Sequence, residues 1–269
     1  MRAAPPRPKG DQVIWRYISI DKYLDFLLTS SLKFTQIKIA ADLLETELMR
    51  HRLRSSGAFD GKEEHLDGSK IYIEAIRKTH YISCWTGKKT ECRSLWHSYL
   101  GASHIGVAIK STVDQIINSA DWGDYSFDYR EVDYRDEFED IEELQVITTL
   151  LNVKAEAYSS EEEIRFTIIE DAVDLPEGEL SAENPPRIKN EDEFPKVIPI
   201  KIRLEDCVDE IWISPFCSEW QISMLRDVTA KINSNLVDRL RRSDVKEKIK
   251  RRVMRRQRRG RLWSMGSVA

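Results

Sequence analysis

Three short segments of the chain carry residue types that can do chemistry. The first segment, Lys154 to Arg165, reads KAEAYSSEEEIR and places Glu161, Glu163 and Arg165 two residues apart. In a β-strand, this spacing projects all three side chains from one face. One carboxylate can then act as a base or electrostatic stabiliser, while the guanidinium holds a carboxylate or phosphate. The competing interpretation is a solvated strand face with internal ion pairs.

The second segment is Trp15-Arg16-Tyr17, within an apolar and β-branched stretch that predicts the first strand. Alternation along a strand puts Trp15 and Tyr17 on one face and Arg16 on the other. A buried cation without a partner is costly. Arg16 therefore either meets a partner or ligand, or it points into solvent from an edge strand.

The third segment, Tyr81 to Trp85, predicts a short buried strand. The Ser83 hydroxyl must find a hydrogen-bond partner there. That partner is a ribose or phosphate of a ligand or, as is more common, a neighbouring backbone group. Cys84 is interpreted as a small buried hydrophobic residue rather than a nucleophile. Further on, Trp96 and Tyr99 lie at helical spacing and are interpreted as core packing.

Several kinds of site are disfavoured. The sequence has no Walker-type phosphate loop, no dinucleotide-binding glycine fingerprint, no nucleophile elbow and no HExxH motif. Its five His and four Cys residues lack metal-ligand spacing, so we expect no metal. No run of about twenty apolar residues predicts a membrane span. Because there is no C-x-x-C pair and no apolar signal region at the N-terminus, we expect reduced thiols and a cytoplasmic location.

The elements that must position these segments predict an α+β fold. Strand-like and helix-like stretches follow one another without strict βαβ alternation, which favours one mixed or antiparallel sheet with flanking helices. One half-buried strand is predicted over Phe127 to Tyr134. We expect a disordered leader over 1–12, a single domain over 13–244 with a surface loop over 171–196, and a basic helical or disordered tail over 245–269.

The net charge of −4 combines two unlike parts. Residues 246–261 contain ten Lys or Arg and one acid, which leaves a charge of −13 for the rest of the chain. Such a tail can bind nucleic acid, anionic lipid, an acidic protein surface or the acidic stretch Glu131 to Glu143 of the same chain, or it can serve only as a solubilising tail. The tail residues expected to contact a polyanion are Lys250, Arg251, Arg252, Arg255, Arg256, Arg258 and Arg259.

An ordered set of short marks makes the chain resemble the bacterial family catalogued as domain of unknown function 2971. The marks are Trp15-Arg16-Tyr17, the Leu24 to Leu28 helix, Leu32-x-Phe34, Ile82-Ser83-Cys84-Trp85, Leu95-Trp96-x-x-Tyr99, Gly106-Val107-Ala108-Ile109, Val132-x-Tyr134, Tyr158-x-x-Glu161-x-Glu163-x-Arg165, Ile211-x-Ile213-Ser214-Pro215 and Trp220. The resemblance covers roughly residues 13–244 and brings no established activity.

The order of the polar residues is also similar to that of ADP-ribosyltransferases, which place an Arg on the first strand, a Ser on a middle strand and an E-x-E on a later strand. That likeness implies a split sheet and NAD, or a related nucleotide, as substrate. Arg16 would bind the pyrophosphate, and Ser83 would contact the nicotinamide ribose. Glu163 would stabilise the oxocarbenium ion and position the acceptor. The likeness adds Glu161 to the catalytic group and Tyr17 and Arg165 to the substrate-binding group. The alternative is a non-catalytic module, for example in a defence or stress system, that binds nucleic acid or a protein through the tail.

Overall fold

A central sheet organises the fold, and the β-branched and aromatic residues of its strands suit a pleated, buried surface. The structure is a computed structural model that describes residues 5–40, 73–101, 104–135, 151–170, 173–174, 177, 187–188, 194–243 and 245. In chain order its strands are β1 (Val13–Ser19), β2 (Ser31–Gln36), β3 (His80–Thr86), β4 (Gly106–Thr112), β5 (Ser126–Glu131), β6 (Asp133–Arg135), β7 (Val153–Ala155), β8 (Glu163–Ile169), β9 (Val173–Asp174), β10 (Arg187–Ile188), β11 (Val197–Lys201), β12 (Glu210–Ile213) and β13 (Leu240–Arg242). This content confirms the predicted α+β class.

Helices flank the sheet. They are α1 (Ile20–Thr29), α2 (Ile37–Ala40), α3 (73–79), α4 (Arg93–Leu100), α5 (Val113–Ser119), α6 (Leu204–Cys207) and α7 (Glu219–Ile232), with 3-10 turns at Glu156–Glu161 and Ser234–Arg239. A reciprocal capping box fixes the start of α5, where the Thr112 side chain accepts from the Gln115 backbone and the Gln115 side chain accepts from the Thr112 backbone. Helix α1 ends at Ser30, which adopts a left-handed conformation and turns the chain into β2.

The main sheet is split between β1 and β2. Strand β8 pairs with the whole of one edge of β3. On the other edge, β2 reaches only Tyr81 and Ile82, and β1 reaches only Thr86. No ladder joins β1 to β2 in the part of the chain that the structure describes. Residues 83–85 of β3 therefore face a gap between two diverging strands.

On each side of the split, the strands pair with further strands of the sheet. Strand β1 pairs along its full length with antiparallel β4, which is followed by β12 and β13. Strand β2 pairs with β11, and β8 pairs with β5. The gap is thus held open by well-paired strands on both sides.

The two faces of β1 pack differently, because successive side chains alternate. Ile14 and Ile18 belong to the larger hydrophobic core, which also takes in residues of α1 and α7. Trp15 and Tyr17 belong to a smaller cluster beneath α4, where the Tyr17 ring meets that of Trp96 edge-on at 4.8 Å. This alternation places Arg16 on the side of the larger core, at the split.

Two predictions of local structure were wrong. The stretch Phe127 to Tyr134 is two strands, because Val132 is buried between them and donates its backbone N–H to the Glu163 carbonyl at 2.9 Å. Strand β6 then pairs with β7 in a separate sheet. The leader 1–12 is ordered from residue 5 onward. Its Pro6 carbonyl accepts from Glu131 at 3.0 Å, which covers the free edge of β5.

Much of the predicted loop 171–196 lies outside the described residues, although β9 and β10 within it pair with each other. The basic residues of the tail, from Lys250 to Arg259, also lie outside the described part of the chain. None of the helices among the described residues combines the length and the apolar character that a membrane crossing requires.

Candidate functional site

The split in the sheet opens into a cavity of about 330 Å³, here named the aromatic chamber. It lies between β1, β3 and the C-terminal end of α4. Its lining residues are Trp15, Arg16, Tyr17, Ile18, Lys22, Thr35, Ala40, Ile82, Cys84, Trp85, Thr86 and Tyr99. Four of these are aromatic and two are cationic, which suits a ligand that combines flat rings with negative charge.

Arg16 is the central polar group of the split. Its Nη2 atom donates to the Lys33 carbonyl across the gap at 3.3 Å, and its guanidinium lies 5.7 Å from the Trp85 ring centroid. No carboxylate of the described residues pairs with it. Burial lowers the pKa of Arg16 from its usual value, although a guanidinium stays charged at neutral pH. Arg16 is thus a half-buried cation whose charge is not neutralised by a described side chain.

Aromatic side chains form the wall beside Arg16. The rings of Tyr17 and Tyr99 stack with centroids 6.4 Å apart, and the Tyr17 hydroxyl accepts from the Cys92 backbone N–H at 2.8 Å. Trp15 is buried, and its indole N–H has no acceptor among the described residues. A buried donor without a partner is uncommon in a folded protein. This wall therefore offers a stacking surface, and one of its rings holds a buried donor without an acceptor among the described residues.

Cys84 connects the chamber to a charged network behind it. Its side chain lines the chamber, and it lies close enough to Glu163 for each of the two side chains to influence the pKa of the other. The strand register explains this proximity, because Cys84 lies opposite Arg165 and Thr86 lies opposite Glu163. Burial, with the Glu163 charge, raises the pKa of Cys84 well above its usual value, so the thiol stays protonated.

Two cations hold the buried Glu163 carboxylate. Arg165 donates from Nε to Oε1 at 2.7 Å, and Lys154 donates from Nζ to Oε2 at 2.9 Å. Lys154 also bonds the Glu161 carboxylate at 2.9 Å. The pairing of β6 with β7 places Lys154 there, and the Tyr134 hydroxyl beside it accepts from the Glu163 backbone N–H at 2.8 Å. Among the described residues, two carboxylates and two cations thus form one network, in which Glu163 is buried and Glu161 is partly exposed.

The charge state of Glu163 follows from these contacts. Burial alone would raise the pKa of Glu163, but the charges of Arg165 and Lys154 outweigh it and lower the pKa to about 2. The carboxylate is therefore ionised at neutral pH and held in one orientation. It can stabilise a positive charge that develops in the chamber, but it is too weak a base to accept a proton readily.

A second cavity of about 450 Å³, here named the lysine chamber, adjoins the first between α1, β1, β2 and β11. Arg16, Ile18, Lys22 and Thr35 line both chambers. Lys33 lines only the lysine chamber. The two chambers together make one elongated site with Arg16 between its halves.

The structure brings some of the predicted site residues together and separates others. Arg16 and Tyr17 line the aromatic chamber, and Glu163 and Arg165 lie one side chain behind it. Ser83 does not line it. Its side chain is buried, and its hydroxyl accepts from the Trp85 indole at 3.2 Å.

The prediction that Glu161, Glu163 and Arg165 share one strand face was wrong for Glu161. Glu161 ends a 3-10 turn, and Glu162 after it adopts a left-handed conformation before β8 begins. Glu161 still reaches the network, but through Lys154 rather than along the strand.

Three residues of the site were missed by sequence reasoning. Cys84 and Tyr99 were interpreted as packing residues, and their position on the chamber wall depends on strand pairing that local sequence does not reveal. Lys22 carried a usable signal. It is a cation in the first turn of α1, where the helix dipole favours acids, which indicates a function other than helix stability.

Within the described residues, no group of three or more His, Cys, Asp or Glu side chains is arranged to hold a metal ion. The site is thus built from cations, aromatic rings and one fixed carboxylate. Comparisons with protein-family models, with curated proteins and with solved structures yield no match for this chain.

Proposed function

We propose that the chain is an ADP-ribosyltransferase-like enzyme that binds NAD or a related nucleotide in the split of its sheet. One observation carries the proposal. Arg16 lies half-buried between two adjoining chambers, and no carboxylate of the described residues neutralises it. A guanidinium in that setting gains most from an anionic group with paired oxygens, such as a pyrophosphate.

The chamber walls support a nucleotide rather than a simple anion. Trp85 and the stacked pair of Tyr17 and Tyr99 offer ring faces for a base. The resemblance to ADP-ribosyltransferases assigns the pyrophosphate to the same Arg16.

In the proposed reaction, the bond between nicotinamide and the ribose C1′ breaks, and nicotinamide leaves with the bonding electrons. The ribose becomes an oxocarbenium ion, which an acceptor hydroxyl, amine or water attacks as it gives up its proton to solvent. The ionised Glu163 lies behind Cys84 and stabilises the positive charge that forms. Glu161 and Arg165 keep that carboxylate network in place.

The competing proposal is a ligand-binding module without catalysis. It is favoured by the two cations that already bond the Glu163 carboxylate, because they weaken the electrostatic stabilisation that this carboxylate can give to a positively charged intermediate. Both proposals place the nucleotide in the same chamber. They differ only in whether nicotinamide is released.

Incubation with NAD labelled in its nicotinamide ring separates the two. The wild-type protein, alone or with nucleic acid or cell extract as acceptor, is expected to release labelled nicotinamide. Arg16→Gln should lose most of this activity, while Arg203→Gln, an exposed arginine that lines neither chamber, should keep it. Absence of release by wild type under all these conditions would contradict the enzyme and leave the binding module.

The tail supports a second function that is compatible with the first. The described chain ends near Ser243, whose hydroxyl donates to Glu91 at 2.6 Å beside the start of α4, and Val245 is buried. The basic residues from Lys246 onward are thus tethered to the domain next to the helix that carries Tyr99. Their charge supports binding of nucleic acid or an acidic protein surface.

A further inference from the structure

The lysine chamber contains cationic side chains that the proposed contact between Arg16 and a pyrophosphate does not involve. Besides the shared Arg16, it is lined by Lys22 of α1 and Lys33 of β2, and its one acid is Asp25. Lys33 Nζ lies 3.3 Å from Asp25, and both side chains are partly exposed. Lys22 forms no ion pair with a described carboxylate. The chamber therefore carries an excess of positive charge.

Apart from Ser31 and Thr35, the rest of this chamber is apolar. Phe26, Leu32, Ile109 and Val197 contribute to its walls. An apolar cavity with a few convergent cations suits a flat base that carries a phosphate group. A phosphate monoester has nearly two negative charges at neutral pH, which would match the excess charge of the lysines.

The order of the groups along the split orients the ligand. Cys84 and the Glu163 network lie at the aromatic chamber, so the reacting ribose belongs there. Arg16 lies between the chambers and takes the pyrophosphate. The far end of a dinucleotide, its adenosine, then extends into the lysine chamber, where its ribose 2′-position comes near the lysines.

We propose that Lys22 and Lys33 bind a phosphate monoester on that adenosine end, so that the ligand of the split is a phosphorylated dinucleotide of the NADP type in preference to NAD. This inference rests on the proposed function for the position of the pyrophosphate. It adds a specificity-determining role for a pair of lysines to the proposed nucleotide site.

Affinities for NADP and NAD, measured by calorimetry on the full chain, test the inference. Wild type is expected to bind NADP about tenfold or more tightly than NAD, because one charge-assisted hydrogen bond is worth about that factor. The double variant Lys22→Ala/Lys33→Ala should bind NADP no more tightly than NAD, so that the preference for NADP is lost. Lys9→Ala, an exposed lysine outside both linings, is the matched control and should keep the preference.

Equal affinities of wild type for NADP and NAD would overturn the inference while leaving the proposed function intact. A second probe, adenosine 2′,5′-bisphosphate compared with ADP, reports on the lysine chamber without the nicotinamide end. Binding of the bisphosphate that depends on Lys22 and Lys33, without binding of either dinucleotide, would support the phosphate subsite and contradict the proposed function. Binding of none of the four compounds would overturn both.

Discussion

At the scale of single residues, the site contains one charge that lacks an oppositely charged partner and one charge that has two. Arg16 is left without a carboxylate among the described residues, whereas Glu163 is bonded to Arg165 and Lys154. A closed ion pair mainly maintains structure, while an open charge has binding energy left for a ligand. Arg16 is therefore the group to which we assign ligand binding, and Glu163 is the group that we expect the fold to need.

Glu163→Gln should destabilise the folded protein by about 3–5 kcal/mol, because it removes the buried carboxylate to which Lys154 and Arg165 are both bonded. Urea denaturation monitored by Trp fluorescence gives the measurement. The neighbouring Glu162→Gln is the control, since that carboxylate is 57% exposed and pairs with Lys88 at the surface. Its loss should cost less than about 1 kcal/mol. An equal loss of unfolding free energy in the two variants would show that the buried network stabilises the fold no more than a surface ion pair does.

The same network predicts how stability depends on pH. The pKa of Glu163 is about 2 in the folded protein, against an ordinary value of 4.5. The unfolded chain therefore binds this proton more tightly, so the contribution of Glu163 is complete above pH 4.5 and is lost as the pH falls toward 2. Denaturation midpoints between pH 6 and pH 3 should fall for wild type and fall less for Glu163→Gln. Parallel curves for the two proteins would contradict the low pKa.

Residue types alone indicated part of this site. Arg16 in an apolar strand and the closely spaced Glu163 and Arg165 are unusual locally, and sequence reasoning singled them out. Cys84 has no such signature, because its importance comes from lying opposite Arg165 on a strand eighty residues away. The role of Ser83 depends on which face of β3 it occupies, and the period-two pattern alone left that face undetermined.

At the scale of elements, the position of Arg16 depends on how closely β4 approaches β1. Gly106, which pairs with Ser19, allows this approach. A Cβ atom there would fall inside contact distance of the Ile18 carbonyl oxygen and 2.5 Å from a Leu100 methyl group. The strand and the helix cannot both make room without moving β1 and the chamber wall.

Gly106→Ala should therefore destabilise the protein by about 1–3 kcal/mol through overpacking. Gly87→Ala is a matched control, because its Cβ would meet mainly the mobile ends of Gln12 and Ile164. Thermal unfolding of the two variants gives the comparison. A Gly106→Ala protein as stable as wild type would mean that β1 and β4 are not packed as closely as described.

Periodicity located several of these elements, including β1, α1, β3 and α4, because each buries one face. It missed the break at Val132, where a single buried residue turns the chain between two sheets. It also could not reveal the split. The split arises because β1 and β2 pair with the same edge of β3 at different positions along its length. This pairing joins distant parts of the chain.

At the scale of the whole molecule, the chain joins an acidic domain to a basic tail. The tail carries a net charge of +9 over residues 246–261, while the rest carries −13. The two regions are expected to act separately, since the residues that line the two chambers all precede the tail. The charge asymmetry was evident from the sequence. The partner that the tail binds could not be predicted, because charge alone does not distinguish nucleic acid from an acidic protein surface.

Deletion of residues 246–269 should abolish binding to a short nucleic-acid duplex and remove its salt dependence, because each phosphate contact releases counterions. Fluorescence anisotropy at several salt concentrations gives the affinity and its slope. Nucleotide binding in the split should be unchanged by the deletion, which serves as the internal control. Unchanged affinity for nucleic acid would show that the tail is not the binding element.

Calorimetric titration of the full chain with ADP-ribose tests the central claim, that the split binds a pyrophosphate through Arg16. ADP-ribose keeps the pyrophosphate and lacks the leaving group, so binding is measured without turnover. Arg16→Gln should weaken binding by about 10- to 100-fold, the worth of charge-assisted hydrogen bonds. Arg203→Gln should bind as wild type does. Equal affinities for wild type and Arg16→Gln, or no binding by wild type, would contradict the claim.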